Sequence, residues 1–259
     1  MLNMVRADAY RLFHSKGFYI TQILLVAIVV FSISLEGVAT ILGGNDALSN
    51  FQNTNTKFAW NAVQSVKLMS SMASVLIYFL LPLFVMTIGF EFSRKIYKNP
   101  LSSGMSRFNY FCSKYGVFLL IELCQFIFFY LAIFITAGLK NGVGHVTARF
   151  IGKMLATIGI QFMAINAILA IGLLLMYVFF STITAVLSTI IFPMIVTLAV
   201  ELFPKSHWLK YFSFQSVIDS AYFTNYSTGG DIMKLLAASF GVILICLASA
   251  FLVFKRRDL

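Results

Sequence analysis

Apolar residues in this chain run in long uninterrupted stretches, set apart by polar clusters, rather than in the one-face or alternating patterns of a water-soluble domain. A helix that crosses about 30 Å of hydrocarbon needs roughly 20 mainly apolar residues. Six stretches meet that need, at about 18–35, 72–90, 117–137, 155–180, 182–203 and 235–254. The fourth and fifth come from one apolar run, Leu155 to Phe203, which as a single helix would be roughly 73 Å long. It is therefore expected to cross twice, turning at the polar cluster Ser181-Thr182-Ile183-Thr184. The first stretch is too long for a signal-peptide core and lacks a small-residue cleavage site, so it is expected to be retained. The expected fold class is all-α: a polytopic membrane protein with one transmembrane domain over residues 1–259 and no internal repeat.

Composition agrees with the pattern. Of 259 residues, 60% are hydrophobic and 11% charged, against roughly 45–50% and about 25% in soluble domains. The net charge of +10 would point to nucleic acid in a soluble protein, but too little polar surface is left here, and no nucleic-acid partner is expected. Sorted by span, the charge becomes an orientation signal. Arg6, Arg11 and Lys16, then Arg94, Lys95, Lys98, Arg107 and Lys114, then Lys255, Arg256 and Arg257 share one face with only Asp8, Glu91 and Asp258. The excess of Lys and Arg puts both termini in the cytoplasm. The third loop, with Lys140, Arg149 and Lys153 and no acid, runs against that rule. Cys112, Cys124 and Cys246 form neither a disulfide framework nor a metal spacing.

Two segments on the basic face carry more than charge. Leu2, Val5, Ala9, Leu12 and Phe13 gather on one side of a helical wheel with Arg11 opposite, the pattern of an interfacial elbow helix over residues 1–17. In the second loop, Asn99 before Pro100 is a helix start: Asn can accept from an orphan N–H, and Pro at the first helical position has none to satisfy. Leu101, Met105, Phe108 and Cys112 would then share one face of a short amphipathic helix, with Gly104 inside it allowing close approach and Ser106 and Arg107 elsewhere. Such a helix can press into a groove on a soluble partner or lie on the bilayer.

The run from Glu91 through Lys98-Asn99, Leu101, Gly104 and Ser106-Arg107 to Lys114 resembles the loop between the second and third spans of ABC-2 type transporter permease subunits, especially the bacteriocin and lantibiotic immunity group. The elbow, the six spans and the ending Phe254-Lys255-Arg256-Arg257-Asp258-Leu259 extend the resemblance over nearly the whole chain; Lys95-Ile96 stands where that family commonly has Gly-Thr. The resemblance implies that Glu91, Lys98, Asn99, Pro100, Leu101, Gly104, Met105, Ser106, Arg107 and Phe108 form a coupling loop against a cytoplasmic ATP-binding cassette subunit. It also implies a second permease subunit, identical or related, and a bacterial plasma membrane. The implied activity is export of a hydrophobic or amphipathic cargo, above all an antimicrobial peptide or lantibiotic, in secretion or self-immunity; drugs or lipids are the alternative cargo. No G-x-x-x-x-G-K-[ST] loop occurs, so the chain itself is expected to carry no cofactor, ATP and Mg²⁺ being bound by the partner.

Within the spans, Glu122 is the one acid well inside, a candidate proton relay or substrate contact, although it lies about five residues from the cytoplasmic end of its span, where a side chain can reach the interface. Gln125, Gln161 and Asn166 are candidates for interhelical bonds or for a substrate path. Pro82 and Pro193 are expected to kink the second and fifth spans. His14, His145 and His207 fall in loops or at the interface, so neither catalysis nor a metal site is expected. An ion-coupled transporter would need acids near the midplane and repeated halves, of which the chain offers one off-centre glutamate. The Asn- and Gln-rich segment from Glu36 to Ser71 is too short for a catalytic domain. The aromatic stretch from Pro204 to Lys234 is expected to hold short re-entrant helices or an aromatic belt.

Overall fold

The computed structural model describes residues 2–35, 60–203, 208–223 and 229–256. Six helices are long and apolar enough to cross a membrane: Lys16–Ser34, Val75–Ser93, Arg107–Asn141, Ala148–Phe179, Thr182–Leu202 and Ile232–Arg256. An N-terminal helix, Leu2–Phe13, precedes the first span. Among the described residues there is no strand. The chain is a polytopic helical membrane protein, and the even number of crossings brings both ends of the described chain to one end of the bundle.

Two groups of helices make up the bundle. The third span packs against the first and second spans, the N-terminal helix and the short helix Ala62–Met69. The fourth span packs against the fifth and sixth. Gly172 sets the closeness of the second group: a Cβ there would lie 2.5 Å from Thr189 Cγ2 and 3.2 Å from the Ala185 carbonyl oxygen. Small residues let membrane helices approach where no hydrophobic force between them exists. Facing outward are Ile23 and Phe31 on the first span, Leu120 and Ile127 on the third, Ile195 on the fifth and Ile245 on the sixth. In water such faces would be interaction patches; in a bilayer they meet lipid.

Span boundaries differ from expectation for physical reasons. The third span begins ten residues before the expected Val117, because the Ser106 hydroxyl caps it by accepting from Asn109 N–H at 3.2 Å, and because Lys114 is neutralised by side chains from elsewhere. The turn between the fourth and fifth spans falls at Phe180-Ser181, ahead of the polar cluster's centre, with Phe180 in the left-handed region at φ 52°. Pro82 is followed by a wider π-helical turn at Val85–Gly89, as expected where a missing N–H interrupts the hydrogen-bond ladder. Pro193 lies within Thr182–Leu202, and the Thr197 hydroxyl donates to its carbonyl at 2.9 Å.

At the end away from the described termini, the loop segments pack rather than trail. Asn61 caps Ala62–Met69 by accepting from Gln64 N–H at 2.9 Å, and this helix is buried against the third span. Gln161 donates to the Ser70 and Ile218 carbonyls, both at 2.9 Å, and accepts from Tyr130, tying the short helix Phe214–Ser220 to the third and fourth spans. Lys140 donates to the Ile33 and Ser34 carbonyls at 3.1 and 3.3 Å, a cation at the C-terminal end of the first span. Lys153 sits 4.6 Å from the Tyr222 ring centre. The third loop's positive charge is thus partly structural. Most of the Asn- and Gln-rich segment, residues 36–59, lies outside the described residues.

Candidate functional site

The loop between the second and third spans is built on a buried ion cluster. Glu91, in the last turn of the second span, accepts from the Tyr110 hydroxyl at 2.7 Å, from Arg11 at 3.0 Å and from Lys114. Lys114, only 2% exposed, also donates to both Asp8 carboxylate oxygens at 2.7 Å. Arg11 completes the set, with one bond to Asp8 at 3.2 Å and one to the Thr87 carbonyl at 3.0 Å. Two acids and two bases balance. The cluster pins the N-terminal helix to the ends of the second and third spans. Burial pushes the Asp8 carboxyl up, opposed by its bond to Lys114.

From this root the loop turns sharply. Lys95 occupies the left-handed region at φ 56°. Phe92 and Tyr97 stack at 5.1 Å, and Phe92 meets Tyr177 edge-on at 4.7 Å, with Phe180 beside both. These rings lock the start of the loop to the fourth span. A helix of one turn, Lys98–Ser102, follows. Gly104, at φ +91°, then reverses the chain, which a side-chain-bearing residue would do only under strain. At the far side Arg107 donates to the Phe254 and Lys255 carbonyls at 3.2 and 2.7 Å, gripping the C-terminal turn of the sixth span.

The expected amphipathic helix is corrected by this geometry. Asn99 lies inside the short helix, which starts at Lys98 with no side-chain cap. Gly104 ends the segment instead of lying within it. Phe108 and Cys112 belong to the third span, so the four apolar positions do not share one helical face. What the loop presents is smaller: a depression of about 390 Å³ lined by Lys98, Leu101, Ser102, Met105 and Arg107. Asn99 and Ser106 are exposed around it, Pro100 is half-buried, and Phe108 is exposed on the third span. Glu91 and Lys114 are turned inward, out of reach of any docking partner, so four loop cations remain on the surface side rather than five. Arg11, expected on the solvent face, bends into the cluster.

The intramembrane candidates do not converge. Gln161 is fully engaged at the far end of the bundle. Asn166 accepts from Tyr115 at 3.2 Å and donates to the Phe162 carbonyl at 3.2 Å. Gln125 accepts from Gln22 at 2.8 Å and lines an apolar lateral cleft of about 500 Å³ between the N-terminal helix and the first and third spans. Glu122 is 0% exposed and reaches no interface. Its span starts at Arg107, so it lies fifteen residues in. Among the described residues no cluster of His, Cys, Asp and Glu could hold a metal ion.

No local motif in the sequence marks Asp8, Arg11, Tyr110 and Lys114 as site residues. Tyr110 and Lys114 stand four apart, and a helix starting at Ser106 puts them on the face of Val117 and Phe118, both buried. That spacing was the available signal. Asp8 lies 106 residues from Lys114, and no local pattern links them.

The family described as "Protein of unknown function (DUF2705)" matches residues 23–259, beginning inside the first span. No curated protein matches the chain.

Proposed function

The chain belongs to the DUF2705 family, and we propose that it is the membrane-spanning permease subunit of an ABC-2 type exporter, working with a second permease subunit and two cytoplasmic ATP-binding cassette subunits. The observation that carries this reading is the mounting of the loop. Lys98, Leu101, Ser102, Met105 and Arg107 form a basic, partly apolar depression whose two ends are fixed, one by the Asp8–Glu91–Lys114 cluster and one by Arg107 on the sixth span. A floppy loop would absorb a push from a partner. A loop fixed at both ends passes displacement to the second, third and sixth spans and, through Asp8, to the N-terminal helix.

In this reading Lys98–Ser102 is the coupling helix, Leu2–Phe13 is the elbow, and the loop and both termini face the cytoplasm of a bacterial cell. ATP and Mg²⁺ belong to the partner. The cargo, a hydrophobic or amphipathic molecule such as an antimicrobial peptide, is drawn from family resemblance alone. An ion-coupled transporter is the second reading, favoured by the buried Glu122.

The test is co-purification of the full chain with a candidate ATP-binding cassette subunit from the same genome. The complex should survive gel filtration, and Leu101→Asp with Met105→Asp should weaken it at least about tenfold, roughly 1.4 kcal/mol, while the variant alone still elutes as a monodisperse folded chain. No complex, or an unchanged one in the variant, overturns the assignment.

A further inference from the structure

Glu122 has no role in the loop mechanism, and its surroundings are unusual. It lies roughly 22 Å from the start of the third span, with none of its side chain exposed. Neither carboxyl oxygen has a hydrogen-bond partner. The polar groups beside it are the Asn166 amide of the fourth span and the Tyr115 phenol of its own helix. The lysine two turns away, Lys114, is held by Asp8 and Glu91. Among the described residues Glu122 makes no ion pair. An ionised carboxylate there would be a bare charge in a low-dielectric interior, a state that proteins avoid by pairing or neutralising the group. The neutral acid brings an O–H of its own to donate. Asn166 Oδ1 accepts one bond, from Tyr115, and a carbonyl oxygen has a second lone pair to offer.

We propose that Glu122 is a membrane-buried proton-binding site, whose carboxyl holds its proton while the third span stays packed against its neighbours and releases it when water reaches it from the lateral cleft. One turn further along, Gln125 lines the lateral cleft, and its amide donor, Nε2, is itself buried without a partner. The only bond across the cleft floor at that level is Gln22 to Gln125 among the described residues. Separation of the first and third spans at that level breaks this hydrogen bond and opens a path for water toward the acid, while the Lys140 bonds to the Ile33 and Ser34 carbonyls hold the far end of the pair. The proposal is independent of any ATPase partner: proton binding at Glu122 can fail with the permease reading intact, and the reverse.

The probe is dicyclohexylcarbodiimide, an apolar reagent that needs a protonated carboxyl. The Glu122 O–H adds across one C=N bond, and the acyl group then shifts to nitrogen, leaving a stable N-acylurea with every atom of both reactants. The full-length protein carrying Asp219→Asn is treated in micelles at about pH 8, where an ordinary glutamate, with a pKa of about 4.3, is ionised. Peptide mass mapping should place the adduct on Glu122, with no protection by sodium ions. Glu122→Gln should abolish the adduct, keep the thermal midpoint within about 2 °C and flatten the remaining fall in midpoint with rising pH. Absence of the adduct in the parent protein, or protection by sodium, overturns the proposal, as does a Gln variant that unfolds or keeps the parent's pH profile.

Discussion

Replacing Lys114 by Met tests the ion cluster at its centre. Met matches the length of the aliphatic stem but removes the charge, and with it the three donor contacts to Asp8 and Glu91. Two buried carboxylates are then left with Arg11 alone, whose side chain is 34% exposed. Removing one partner of a buried pair costs about 3–5 kcal/mol, because the other charge stays buried without compensation. For a chain of this size that is roughly a 10 °C fall in thermal midpoint. Adding Glu91→Gln removes the excess charge while leaving an acceptor for Tyr110, and Asp8 keeps Arg11. The double variant should therefore recover at least half of the loss, a coupling of about 2 kcal/mol in a double-mutant cycle. The assay is thermal unfolding of the detergent-purified protein, read by loss of the monodisperse peak on gel filtration. A Lys114→Met midpoint within about 2 °C of the parent, or a double variant no more stable than the single, would refute the cluster as a structural anchor.

Asp219 supplies a pH dependence. Burial raises its carboxyl from 3.8 to about 7, only partly offset by the Ser74 backbone N–H at 3.4 Å. The folded chain then holds a proton that the unfolded chain gives up, so this contribution is full below about pH 4 and is lost as pH rises through 7, up to about 4 kcal/mol in all. Thermal midpoints measured from pH 5 to about 8 should fall, and Asp219→Asn should remove the part of that fall below about pH 7 that Asp219 carries. Gly172→Val drives a side chain into Thr189 and the Ala185 carbonyl; a loss of about 1–3 kcal/mol is expected in the same unfolding assay. Gly104→Ala must hold φ +91° with a Cβ, a local cost of about 1–2 kcal/mol. Its expected signature is faster proteolysis in residues 98–107 with little change in the global midpoint.

Long apolar runs made the six spans legible, because membrane thickness alone sets their length. What escaped was decided by contacts between distant residues. Lys114 cut the apolar run of the third span when read locally, and only Asp8 and Glu91 make it a buried position. Asn99-Pro100 was a sound helix signal, but Ser106 offered a competing one; with Gly104 between them, the chain breaks there and starts the long span afresh. A span that starts at Val117 puts Glu122 near an interface, whereas the helix starts ten residues earlier, at Arg107, and carries Glu122 into the interior. Arg11 lies opposite the apolar stripe on a wheel, yet its length lets the guanidinium reach Glu91 across the helix end. The loop's basic character was readable, while the inward turn of Glu91 was not, since an acid closing a span reads the same whether it faces water or a lysine.

The most direct test of the permease assignment uses one cysteine in place of Ser102, beside the depression, with Cys112, Cys124 and Cys246 replaced by Ala. Membrane vesicles of both orientations are treated with a membrane-impermeant maleimide, with and without the ATPase subunit. Labelling from the cytoplasmic side alone, suppressed when the ATPase is present, is the expected result. Labelling from the outside, or cytoplasmic labelling that the ATPase leaves unchanged, would contradict the assignment of this loop as the ATPase dock.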